Sequence, residues 1–218
     1  MIAALYVETG GAYYNLPDVD PWDAQRDARK YAGPHAVVAH PPCERWGSFW
    51  PGSPVQVARG KRFQKGDDGG CFEKALEAVE SYGGVIEHPR GSHAWAHFGI
   101  PHPPKGGGWV PGPDGYGWTC CVYQGHYGHK ALKPTWLYYV GPAKPPELRW
   151  GKPTGEFMTV AGTSFKSVAH RREAEAKGWK YSARLPTKLR NATPAPFRDL
   201  LISMARDVEV SRIVRENL

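Results

Sequence analysis

Two residues at the ends of apolar runs carry groups that could work together. Cys43 stands in "VVAHPPCERWG" and Glu87 in "VIEHP". A thiolate can attack an electrophilic carbon, and a carboxyl group nearby can hold or supply a proton. Pro41 and Pro42 restrict the backbone just before the thiol and so pre-aim it. The plain alternatives are a buried structural cysteine and a surface acid at a strand end. A Pro-Pro-Cys turn between polar groups is a poor place to bury a thiol, and the pairing with Glu87 favours the chemical reading. His40 and His88 place an imidazole beside each reactive group; an imidazolium next to Cys43 would lower its pKa.

For the pair to meet, the runs must be neighbouring strands whose carboxyl ends share an edge. Ile2 to Val7 reads as a strand followed by a glycine turn. "PWDAQRDARKYAG" has Pro first, acids early, bases late and Gly last, which predicts a helix over residues 21–33. "HAVVAH" predicts a second buried strand, so strand, helix, strand gives a βαβ unit and a parallel sheet. In "GCFEKALEAVESYGG", Cys71, Phe72, Ala75, Leu76, Val79 and Tyr82 share one helical face, with Gly83 as the cap. "VIEHP", "GWTCCVYQ" and "TWLYYVG" predict three further strands. Phe197, Leu200, Leu201 and Met204 follow the helical period near the C-terminus. The expected fold is α/β: a parallel or mixed Rossmann-like sheet flanked by helices, with long loops. Residues 1–141 form the catalytic core, 142–190 a small polar lobe or insertion, and 191–218 a helical segment returning to the core. In such a sheet the ligand crevice lies at the carboxyl ends of the strands.

Composition narrows the partners. The net charge of +7 points to a polyanion, most simply nucleic acid, or to a mildly basic solvated surface. No apolar stretch approaches the roughly 20 residues of a membrane span, so no membrane partner is expected. "MIAALYVETGG" lacks a basic leader region, so a cytoplasmic location is expected. The four cysteines form no C-x-x-C pair, and no metal is expected, although the nine histidines leave a scattered zinc site open.

Four ordered segments, about a third of the chain, resemble the DNA cytosine-5 methyltransferases. They are "HPPCERWG", "VIEHPRG", "YQGHYGHKALKPTWLYYVG" and "RNATPAPFRDLL". The third is similar to the version in short phage-type members. The resemblance implies a flipped cytosine in DNA, Cys43 adding to C6, and Glu87 engaging N3 and the exocyclic amine. C5 then takes a methyl group from S-adenosylmethionine. It makes Lys130, Lys133 and Thr135 candidates for holding the base or its phosphate, with His40, Pro42 and His88 beside them. Trp46, Trp50 and the run Arg59, Lys61, Arg62, Lys65 could cover the base and grip phosphates, although loop charge often serves only solubility.

The donor half departs from the family. Gly10 and Gly11 fit the end of its glycine motif, whereas Glu8 and Thr9 do not. About 30 residues separate Gly11 from Cys43, which leaves the adenosine region short; Asp18 and Asp20 are the substitute acids. No full target-recognition domain fits before residue 191. The competing readings are pyrimidine C5 modification with another donor or a free nucleotide, and a non-catalytic nucleic-acid-binding relative. A zinc deaminase fits poorly, because the second Cys of its signature is missing and Glu87 lies on the wrong side of Cys43.

Overall fold

A computed structural model of the chain describes residues 1–47, 54–58, 60, 63–142, 144–158, 167–178 and 185–216. Its centre is a seven-stranded mixed sheet. The strands are β1 (Ile2–Leu5), β2 (Val19–Trp22), β3 (Ala36–Ala39), β4 (Gly84–Pro89), β5 (Val110–Pro111), β6 (Trp118–Tyr123) and β7 (Pro134–Val140). Their spatial order is β2-β1-β3-β4-β7-β6-β5. β2, β1, β3 and β4 are parallel; β7 runs against both β4 and β6, so β6 shares the direction of β4. The class is α/β and Rossmann-like, as expected.

The helices are α1 (Pro54–Val57), α2 (Cys71–Tyr82), α3 (His93–His97), α4 (Val168–Ala176), α5 (Thr187–Asn191) and α6 (Ala195–Glu216). α2 and α6 cover opposite faces of the sheet. On one side Phe72, Ala75, Leu76 and Val79 of α2 pack on Ala3, Leu5, Val37, Ala39 and Ile86. On the other, Phe197, Leu201, Met204 and Val208 of α6 pack on Ile2, Ala4, Val38 and Val85. Alternate residues of each strand thus feed alternate faces. Each large side chain buried this way contributes roughly 1.5–3 kcal/mol. The side chain of Asp68 begins α2 by accepting the amides of Gly70, Cys71 and Phe72. Where β3 meets β4, a Cβ on Gly84 would lie 1.9 Å from the Val37 carbonyl oxygen, so only glycine fits.

The predicted helix over 21–33 does not form. Pro21 instead lies on β2, which pairs only with β1; an edge strand tolerates the missing amide. Asp23 then captures the amides of Gln25 and Arg26. Asp27 takes a left-handed backbone (φ 55°) and accepts the amide of Arg29, so only a short 3-10 turn at Ala28–Lys30 remains. These side-chain bonds compete with a helical ladder. The sequence reading lacked β2, and with it the true order at this edge.

Among the described residues, no helix is long and apolar enough to cross a membrane.

Candidate functional site

The order of the strands reverses between β1 and β3, and the carboxyl ends on either side of that point form the edge where ligands of such sheets bind. His40, Pro41, Pro42 and Cys43 continue from the end of β3. The amide of His40 still donates to the Leu5 carbonyl of β1 at 3.0 Å. Pro41 is buried, and Pro42 and Cys43 are exposed. The Cys43 carbonyl accepts the amides of Trp46 and Gly47 at 3.1 and 3.0 Å, closing a turn beneath the thiol.

Trp46 anchors that turn. It is 4% exposed, its indole donates to Asp68 at 2.7 Å, and its carbonyl accepts the amide of His93. A ring held in this way cannot stack on a flipped base, so its expected covering role is corrected. Trp50, Arg59, Lys61 and Arg62 lie outside the described residues. Lys65 is exposed.

Glu87 sits one residue past the registered pair Ala39 and Ile86, so it reaches the edge beside His40. Its carboxylate is held at both oxygens. His40 Nδ1 lies 3.0 Å from Oε2, and Gln124 Nε2 donates to Oε1 at 3.0 Å. His40 Nε2 lies 2.7 Å from the Tyr13 hydroxyl. An ionised carboxylate only accepts hydrogen bonds, so Nδ1 carries hydrogen, and Nε2 shares a hydrogen bond with the Tyr13 hydroxyl, which can donate or accept. Thr135 is fully buried; it accepts from Gln124 Nε2 at 3.0 Å and donates to the Lys133 carbonyl at 3.1 Å. One chain of hydrogen bonds therefore runs from Tyr13 through His40, Glu87, Gln124 and Thr135 to the Lys133 backbone.

The electrostatics follow from this arrangement. Burial pushes the Glu87 carboxyl up, but the His40 hydrogen bond and the Lys133 charge outweigh it and bring it to about 2. Although Cys43 is exposed, protein atoms around its sulfur partly strip it of water and raise the thiol pKa, and the Glu87 charge raises it further; Lys133 opposes both. Burial lowers the Lys133 ammonium, while the negative charges of Glu87 and Cys43 raise it. Cys43, Glu87 and Lys133 thus share one electrostatic neighbourhood, with the thiol exposed at its mouth. Lys133 takes a left-handed backbone (φ 39°), and its Nζ donates to the Ala192 carbonyl at 3.1 Å. A non-glycine residue held in that region is costly and recurs at functional sites.

His88 lies elsewhere. Strand alternation turns it to the α2 face, where it is 1% exposed and stacks with Trp95 at 6.1 Å between centroids. Its ring lies near the Pro41 and Pro42 carbonyls without hydrogen-bonding geometry to either. Burial lowers it to about 4, which keeps it neutral near pH 7. The imidazolium expected to lower the thiol pKa is therefore not His88, and the thiol is raised rather than lowered. Lys130 is exposed on the loop before β7, where its carbonyl accepts the Met158 amide.

The residues assigned to S-adenosylmethionine are placed apart by the fold. Asp18 precedes β2, and its carbonyl accepts the amide of Ile2. It therefore lies at the amino edge of the parallel strands, opposite Cys43. The Asp20 carboxylate is taken by Arg26 and the Trp22 indole. A Cβ on Gly11 would lie 2.8 Å from the Glu8 carbonyl, so that glycine serves a tight turn. Gly10 has open space around it, with φ 67°. The ring of Tyr13 (3% exposed) packs against His40 at the switch point. Asp23, at the carboxyl end of β2, is an acid the sequence reading missed. It accepts the hydroxyls of Thr9 and Tyr14 at 2.6 and 2.7 Å and the amides of Gln25 and Arg26 at 3.0 and 3.1 Å. Those bonds, the Thr9 hydroxyl first, hold it well below the carboxylate range.

Tyr13 and Gln124 were also missed. Gln124 was legible in principle, because it ends "GWTCCVYQ" and β6 runs parallel to β4, which brings it to the same edge. Tyr13 gave no signal beyond standing in a glycine-rich turn. Two arginines line this edge as well. Arg45 lies 3.7 Å over the Phe63 ring, with a buried Nη1 that has no hydrogen-bond partner among the described residues, and Arg90 donates to the Tyr123 hydroxyl at 3.2 Å. Among the described residues no group of His, Cys, Asp and Glu could hold a metal ion. The chain matches no protein-family model, no curated protein and no solved structure.

Proposed function

We propose that the cleft activates C5 of a pyrimidine base in DNA, cytosine first, by covalent addition of Cys43 to C6. The observation that carries this reading is the pairing of an exposed thiol with a fixed carboxylate across adjacent strand ends. C5 of an aromatic pyrimidine attacks no electrophile until the ring is broken by addition. C6 and N3 lie across the ring from each other. A nucleophile at C6 therefore needs a proton-handling group at N3, and Glu87 is the group beside Cys43. Lys133 supports the thiolate against the Glu87 charge. Arg45 and Arg90 supply positive charge at the rim for phosphates, in keeping with the net charge of +7.

Methyl transfer from S-adenosylmethionine is the outcome the resemblance implies. The structure separates Asp18 from the Cys43 edge and ties Asp20 to Arg26 and Trp22, so the reading rests on activation of C5. DNA containing 5-fluorocytosine tests the reading, incubated with the protein with and without S-adenosylmethionine. A denaturation-resistant adduct mapped to residue 43 and absent in Cys43→Ser supports it, and donor dependence identifies methyl transfer. Tight DNA binding with no adduct, and with no C5 hydrogen exchange either, would instead make the protein a non-catalytic DNA binder.

A further inference from the structure

Glu87 is held as an anion, whereas the N3 of cytosine needs a proton as sulfur adds. Something must supply that proton. We infer that His40 and Tyr13 are positioning residues that feed it: Tyr13 sets the imidazole of His40, and His40 passes a proton through Glu87 to N3 of the base. The inference rests on the reading above and deepens it.

The geometry has one order. Tyr13 Oη lies 2.7 Å from His40 Nε2, and His40 Nδ1 lies 3.0 Å from Glu87 Oε2. A phenol both donates and accepts. It therefore donates to Nε2 of the neutral ring and accepts from Nε2–H of the imidazolium, so His40 keeps a buried partner in both charge states. Gln124, tied to Thr135, holds the other carboxylate oxygen and stops the group from turning. The glycine-rich turn that carries Tyr13 thus serves the acid side of the cleft.

The Cys43 thiol releases its proton to solvent, and the thiolate pair forms the S–C6 bond. The C5=C6 pair moves to C4=C5, and the C4=N3 pair takes a proton that passes from Nδ1 of protonated His40 through the Glu87 carboxylate to N3. Glu87 ends as the anion it began as, and His40, left neutral, recovers its proton from solvent. Reversal returns the base. In heavy water the adduct takes deuterium at C5, loses the original hydrogen and eliminates Cys43, leaving a base labelled at C5. No methyl donor is needed.

Uracil is the internal control, because it already carries hydrogen at N3. Oligonucleotides with deoxycytidine or deoxyuridine at one position are incubated in heavy water with the full chain, and label is read by mass spectrometry. His40→Asn keeps an amide donor for Glu87 and removes the transferable proton. It is expected to slow cytosine labelling about 100-fold, the lower range for loss of an acid catalyst. Tyr13→Phe is expected to slow it about tenfold, since His40 then loses the partner that sets its tautomer. Uracil labelling stays within about threefold in both, as N3 already carries hydrogen and the charge formed on addition falls on O4, away from the His40–Glu87 chain. Equal losses on both bases, or none on cytosine, would overturn the inference while leaving Cys43 chemistry intact. No label on either base with the unaltered protein would reject the proposed function itself.

Discussion

His40 and Glu87 meet across two adjacent parallel strands, Nδ1 to Oε2 at 3.0 Å, each one residue beyond the registered pair Ala39 and Ile86. The contact fixes the carboxylate as an anion and points it along the edge where Cys43 is exposed. The predictions follow from that contact and from the groups around it.

The thiol should report its two charged neighbours in opposite directions. Glu87 raises the Cys43 pKa and Lys133 lowers it. Glu87→Gln is expected to speed alkylation of Cys43 by iodoacetamide at pH 8, and Lys133→Met to slow it, each by a few-fold. Rates followed by peptide mass spectrometry against pH check this. Equal rates in all three proteins would show that the charges do not reach the thiol.

His88 should make the protein acid-sensitive. Burial takes its folded pKa from an ordinary 6.5 to about 4. Below pH 6.5 the unfolded chain binds a proton that the folded one refuses. Stability is therefore complete above that pH and is lost as pH falls towards 4, by about 3 kcal/mol in all. His88→Phe keeps the ring contacts with Phe72 and Trp95 and removes the proton site. Urea midpoints between pH 4 and 7 should slope for the unaltered protein and slope less for this variant, the remainder coming from His93 and His129, which burial also lowers. Glu87 acts lower: its folded pKa of about 2 is depressed, so its contribution is lost as pH falls from 4.5 to 2.

Gln124→Leu removes the donor from Glu87 Oε1 and leaves Thr135 without its amide partner. Breaking one side of a buried polar pair costs about 1–3 kcal/mol. The same change raises the Glu87 pKa. Chemical denaturation reads the first effect, and carbon-13 titration of the labelled carboxyl reads the second.

Arg45 and Arg90 should act on DNA without regard to sequence. Arg45→Met and Arg90→Met are each expected to weaken binding equally for unrelated duplexes and to reduce the salt slope by about 0.9. Fluorescence anisotropy across a salt series checks both. A change confined to one duplex sequence would contradict a phosphate role.

Much of the frame was legible because its signals are local. The apolar runs of β1, β3, β4, β6 and β7 and the periodic faces of α2 and α6 follow from spacing alone. Residues 21–33 were misread because Asp23 and Asp27 use their side chains on nearby amides, and that choice overrides the helix-end pattern. The pairing of Cys43 with Glu87 followed from strand polarity. The faces did not: a one-residue offset sends Glu87 towards α6 and His88 into the aromatic core by α2, which composition cannot distinguish. Tyr13 and Asp23 became visible only once β2 was placed beside β1.

Hydrogen exchange at C5 is the shortest route to the central claim, since it needs the thiol, the base and water alone. Duplex DNA with one deoxycytidine hydrogen at C5 is followed in heavy water by mass spectrometry, with the unaltered protein and with Cys43→Ala. Steady uptake of deuterium at that base is expected with the unaltered protein, and none above background with the variant. Uptake at the same rate in both proteins, or in neither, would contradict the claim.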